Sequence, residues 1–259
     1  MKHSLMSLLL LAGLTPAALP AQQTQDSLAE NVTFYCSFDD SVEPDQSRGS
    51  DKIIVGNFDK SRFEFIPGVK GKAVLGKNNP QSLRFKIQDN VDFSKPGSVS
   101  LWFNPVDWIV QTKDTPNQGN TQWKKTYYNS FFATSYMPTG YIVLQRTTSH
   151  VPGGKDVLML VFPCFKDITK SNVRLDLDLG KNVWHHLAMT WDGLNYVIYL
   201  DGKERLRTSV PYKVTSDKLA DCFGIGMSSG LAFDEFTLYD KVLSAEEIAG
   251  LYKKDNPVK

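Results

Sequence analysis

The stretch NVWHHLAMTWDGLNYVIYLDGKERLRTSV, from Asn182 to Val210, concentrates reactive side chains. His185 and His186 are adjacent, and Asp192 and Asp201 follow closely. Histidine with carboxylate can move protons or hold a metal ion, provided both side chains reach one point. The run from Trp184 to Trp191 has strand composition, and neighbours on a strand face opposite sides. His185 and His186 therefore cannot share a metal ion or act as a pair. Each aspartate precedes a glycine between apolar runs, the signature of a tight hairpin turn. Asp192 and Asp201 are expected as turn residues, and one histidine beside a carboxylate from elsewhere stays compatible with the pattern.

Other sets are weaker. GMSSG, Gly226 to Gly230, matches the nucleophile-elbow pattern, but that elbow needs a helix after it. The following LAFDEFTLYD alternates like a strand, so a glycine-rich hairpin turn is expected. Asp176 and Asp178 share a face in DLDL, without a glutamate. Cys36, Cys164 and Cys222 sit in apolar stretches with no zinc-type spacing, and are expected as buried thiols. No HExxH occurs.

The aromatic residues carry a different chemistry. Residues 107–128 form a long polar insertion with Trp108, Trp123, Tyr127 and Tyr128. Loops of this length are uncommon in compact domains and are often functional. Rings on such a loop can stack on sugars, or fold back and cover the domain. Tyr136 and Tyr141 extend the candidate set, with Asn129, Gln145 and Arg146 as planar polar partners.

The elements that must position these residues are mostly short strands. VTFYCSF, SLRFKI, SVSLWFNP, GYIVLQRT, VLMLVF, VRLDLDL, FGIGM and AFDEFTLYD alternate between turns rich in Gly, Pro, Asn and Asp. Together with the opening stretch they predict an all-β antiparallel sandwich or barrel. One helix is expected in LSAEEIAGLYKK, where Ser244 and Glu247 form a capping box.

Residues 1–21 read as a secretory signal: Lys2 and His3, an apolar run from Leu5 to Leu14, then small residues up to Ala21. The run is shorter than the roughly 20 residues of a membrane span. Residues 22–30 are a polar, flexible lead-in, and residues 255–259 a tail. Without Lys2 the chain carries 28 basic and 28 acidic residues, which argues against a nucleic-acid partner. The expected product is secreted, periplasmic or extracellular, with no membrane span.

VWHHLAMTWDGLNYVIYLDGK resembles the central hairpin of the laminin-G-like, concanavalin-A-like lectin and glucanase domains of secreted bacterial proteins. FYCSFDDSVEPDQSRGS, GVKGKAVLGKN, SVSLWFNP and FDEFTLYDKVLSAEEIAGLY are similar to that family's other segments, in the family's order, from Val32 to Tyr252. The resemblance implies a two-sheet jelly-roll β-sandwich over residues 31–254 with one short C-terminal helix. It also implies a structural calcium ion where the first loop meets the closing strand. Asp39, Asp40 and Asp45 match there, with Asp234 and Glu235; Asp39, Asp45 and Asp234 are the chosen ligands. The alternative for Asp234 is backbone amides or an arginine such as Arg48. The paired acids of the family's glucanases and the motifs of its lyases are not evident, so no catalytic residue is assigned. The expected function is non-catalytic binding of a glycan, through Trp108, Trp123, Tyr127, Tyr128, Tyr136, Tyr141 and Arg146. Alternatives are a structural or adhesion module contacting an extracellular protein, and a divergent glycoside hydrolase or polysaccharide lyase.

Overall fold

Apolar residues at every second position give the chain its sheets, because alternate side chains of a strand share one face. In the computed structural model, residues 28–54, 58–77, 80, 82–107, 128–136, 140–147, 156–162, 172–177, 179–210, 212–226 and 228–256 are described. Their strands are β1 (Val32–Cys36), β2 (Gln46–Ser47), β3 (Phe63–Pro67), β4 (Lys72–Gly76), β5 (Leu83–Lys86), β6 (Gly97–Pro105), β7 (Tyr128–Tyr136) and β8 (Gly140–Thr147). They continue with β9 (Asp156–Val161), β10 (Asn172–Leu177), β11 (His185–Trp191), β12 (Asn195–Leu200), β13 (Lys203–Ser209), β14 (Leu219–Ile225) and β15 (Leu231–Tyr239), and helix α1 (Ala245–Asp255) follows.

These strands form two antiparallel sheets of a jelly-roll sandwich, as expected. The larger runs β13-β12-β11-β6-β15-β1-β2, with β4 on β15 and β3 on β4. The smaller runs β10-β9-β8-β7-β14-β5. Val99, Leu101 and Phe103 of β6 face the smaller sheet and join the main core. Phe34, Phe85 and Phe223 meet there with ring centroids 4.8–5.8 Å apart. These rings, with the aliphatic residues around them, supply the apolar burial that holds the sheets together.

Every residue of β6 is buried, on both faces. The reason is a third layer. Leu243 and Ile248 pack on Ala188, Val197, Tyr199 and Tyr239, on the outer side of the larger sheet. The helix starts where the sequence placed it: Ser244 Oγ accepts from the Glu247 amide, and the Glu247 carboxylate accepts from the Ser244 amide. β6 spans about 30 Å, and the 107–128 insertion leaves from its Pro105 end. Residues 1–27, most of the insertion and the 257–259 end lie outside the described residues.

Candidate functional site

The opening hairpin behaves as strand alternation demands. His185 sits opposite Phe103 in register and His186 opposite Trp102, on opposite faces of the sheet. Asp201 and Gly202 take φ of 53° and 71°, the pair of left-handed residues a tight hairpin needs. At the first turn only Gly193 is left-handed, at 105°. There the Asp192 carboxylate accepts from the Asn195 amide at 2.9 Å, which holds it below the usual carboxylate range. Asp201 also binds a histidine: its Oδ2 lies 3.0 Å from His185 Nδ1, and its Oδ1 accepts from the His186 amide. On the other face, His186 Nε2 lies 2.8 Å from Ser100 Oγ. Burial pushes the His186 ring down to about 4, so it is neutral at pH 7.

The acidic junction is a set of backbone clamps. β15 carries a bulge between Asp234 and Thr237; one edge pairs with β6, and the other pairs with β4 at Ala232 and Phe233 and with β1 from Phe236 on. Asp234 is fully buried. Its Oδ2 accepts from the amides of Val69 at 2.7 Å and Lys70 at 3.3 Å, in the turn between β3 and β4. Asp39 Oδ1 accepts from the Lys72 amide at 2.7 Å, at the end of the same turn. Asp45 Oδ2 accepts from the Ser37 amide. Asp40 instead pairs with Lys72 Nζ, at the surface.

The fit of this donor set to calcium can be judged from those bonds. Calcium takes six to eight oxygens around one point. Among the described residues, no group of three or more His, Cys, Asp or Glu is arranged to hold a metal ion. The buried Asp234 Oδ1 has no partner, and Asp39, Asp45 and Asp234 each spend one carboxylate oxygen on backbone amides of different residues. As they stand these residues do not fit a calcium cage, and the amide alternative accounts for Asp234. Burial raises the Asp234 carboxyl to about 8, which favours a proton on it at neutral pH.

The aromatic candidates divide. Trp108, Trp123 and Tyr127 lie outside the described residues. Tyr128, Tyr136 and Tyr141 lie on β7 and β8, and their side chains are not among those described. Arg146 is fully buried and donates from Nη1 to Asn129 Oδ1 at 2.8 Å. It follows Ile142 and Leu144 on the inward side of β8, so alternation sends it into the sandwich rather than to a surface ligand. Its expected role as a sugar partner is corrected to an internal one.

GMSSG leads directly into β15, a strand, so the elbow geometry is absent there. Asp176 is exposed on β10, while Asp178 and Cys164 lie outside the described residues. Cys36 is a buried free thiol and Cys222 a half-buried one.

Sequence reasoning missed two cavities. One, about 490 Å³, opens at the Gly97 end of β6, between Thr33, Arg48, Asn90, Asp92, Trp191 and Tyr239. The other, about 280 Å³, lies between α1 and the outer face of the larger sheet. No motif announces either, because each draws its walls from strands far apart in sequence.

Comparison with known proteins agrees with this architecture. A family model described as the concanavalin A-like lectin/glucanases superfamily matches residues 77–249. No curated protein sequence matches the chain. Among solved structures, domain 4 of AbnA, an extracellular GH43 arabinanase from Geobacillus stearothermophilus solved in complex with arabinotriose, aligns with a TM-score of 0.59 at 19% identity. That alignment covers 86% of this chain and 99% of that one. The ligand-binding domain of botulinum neurotoxin serotype D, in complex with N-acetylneuraminic acid, aligns with a TM-score of 0.59 at 15% identity. The binding domain of botulinum neurotoxin DC, in complex with rat synaptotagmin II, aligns at 0.53 and 13%. These cover 89% and 75% of this chain, which spans about half the length of the toxin chains, 52% and 45%.

Proposed function

The chain belongs to the concanavalin A-like lectin/glucanase superfamily, and from that premise we propose that it is an exported, non-catalytic module that binds a glycan. One observation carries the proposal: among the described residues, the histidines of the central hairpin and the aspartates of the junction are already committed to internal bonds. His185 is held by Asp201, His186 by Ser100, and Asp39, Asp45 and Asp234 by backbone amides. A glycosidase needs two carboxyl groups flanking an open cleft. Two structural neighbours support the ligand class, one solved with arabinotriose and one with N-acetylneuraminic acid.

The proposed contacts are the rings of the insertion, Trp108, Trp123, Tyr127 and Tyr128, with Tyr136 and Tyr141 at the ends of β7 and β8. Stacking on aromatic faces needs no ionised group, which suits a chain of near-zero net charge. A second proposal, contact with an extracellular protein, is favoured by the neighbour in complex with synaptotagmin. Retardation of the protein in gels containing single polysaccharides, run beside a reducing-end assay, tests both. The glycan proposal expects retardation in at least one polysaccharide with no new reducing ends. Turnover abolished by an acid-to-amide variant would overturn the non-catalytic part; retardation in none would favour the protein partner.

A further inference from the structure

Helix α1 leaves part of the larger sheet's outer face uncovered. The 280 Å³ cavity there has Tyr35, Ser100, Trp102, His186, Glu235 and Lys254 among its walls. Three observations point to a ligand.

The first is backbone strain. Glu235 sits at φ 50°, in the left-handed region, inside the bulge that breaks the register of β15. Strain of that kind gathers at functional positions, and bulges re-aim side chains there. The bulge brings Glu235 to Tyr35, whose hydroxyl donates to Oε1 at 2.8 Å. Among the described residues Oε2 meets only the Lys70 ammonium, 3.4 Å away, so it retains capacity to accept from hydroxyls.

The second is the floor. Ser100 Oγ lies 2.8 Å from His186 Nε2, which fixes the hydroxyl in place. Its oxygen keeps capacity for one further hydrogen bond, so the floor offers a positioned polar group.

The third is charge. Lys70 and Lys254 face the cavity, and so do Glu235 and Asp255. Two cations against two anions give no net preference for a charged ligand, and they offer donors and acceptors together. The volume matches one small ring.

We propose that this groove binds one neutral, polyhydroxylated ring, a monosaccharide or cyclitol unit, with Glu235 and Tyr35 at one wall and Ser100 on the floor. The site is built from described residues alone and does not depend on the glycan contacts assigned to the insertion.

Saturation-transfer NMR on the full exported chain tests it, with D-glucose, L-arabinose, N-acetylglucosamine and myo-inositol as probes at millimolar concentration. At least one probe is expected to bind. Glu235→Gln should weaken it about tenfold through loss of a charge-assisted bond. Trp108→Ala with Trp123→Ala should leave it unchanged, which separates this site from the insertion. Lys254→Glu, on the exposed side of α1, upsets the charge balance without touching the core and should also weaken binding. It decides the matter if Glu235→Gln does not fold. Binding of none of the probes, wild-type affinity in folded Glu235→Gln or Lys254→Glu, or loss of probe binding in the tryptophan variant would overturn the proposal.

Discussion

Gly71 has φ 61°, and a Cβ there would sit 1.9 Å from Asp39 Oδ1. A Cβ on Gly68 would sit 2.4 Å from Asp234 Oδ2. The two glycines of GVKG are therefore where two carboxylates reach the backbone, which gives that short motif its physical reason. Gly71→Ala should cost about 2 kcal/mol, from the left-handed backbone and the lost approach of Asp39, read as a lowered midpoint in urea. Asp234 gives a pH dependence. Burial lifts its carboxyl to about 8 from an ordinary 3.8, so the folded state holds the proton more tightly than the unfolded one. Stability from this group is fully present below about pH 4 and is lost as pH rises through about 8. Asp234→Asn should flatten that decline between about pH 4 and 8 in urea titrations; an unchanged slope would show the carboxyl is ionised throughout. Sequence alone named these aspartates and left Asp234 open between a calcium ion and backbone amides. A carboxylate that binds an amide and one that binds a metal look alike until the turn beside it is placed.

Elements were legible in proportion to their regularity. β6, β11, β12 and β15 alternate cleanly or carry apolar runs, and the helix announces its start through Ser244 and Glu247. β3 and β7 were not legible as strands. FEFIP of β3 is half exposed and, among the described residues, pairs only with β4, so nothing in its pattern marks a buried face. β7 begins at Tyr128, inside the apparent insertion, and carries a bulge between Ser130 and Phe132 that disturbs its alternation. Two predictions belong at this scale. Ser244→Ala removes the cap of α1 and should cost about 1 kcal/mol by thermal or urea unfolding. Calcium or chelator should leave the melting temperature unchanged, because the β1–β4–β15 junction is closed by amides. A clear rise with calcium would show that a cation displaces those amides and that the clamps double as ligands.

At the scale of the whole molecule, the fold was readable because its signals are ordered along the chain: the first strand with its acidic loop, the glycine turn, the central hairpins and the capped helix. Function was less readable, since one sandwich serves many ligands. The cavities are assembled from strands that only the topology makes neighbours. Arg146 shows the same limit at one residue: it resembles a surface ligand by type, and its register sends it inward. The domain is a β-sandwich whose larger sheet is partly covered on its outer face by α1; among the described residues His185, His186, Asp39, Asp45 and Asp234 are engaged internally, and the aromatic insertion follows β6 in the sequence. The function proposed for it is glycan binding through that insertion without catalysis. A glycan array probed with the chain and with its Trp108→Ala, Trp123→Ala variant reads this out. Binding of a defined set of oligosaccharides is expected for the former and its loss for the folded variant, with the millimolar monosaccharide binding of the α1 groove retained by both; equal oligosaccharide binding by both, or none by either, would rule out recognition through the insertion.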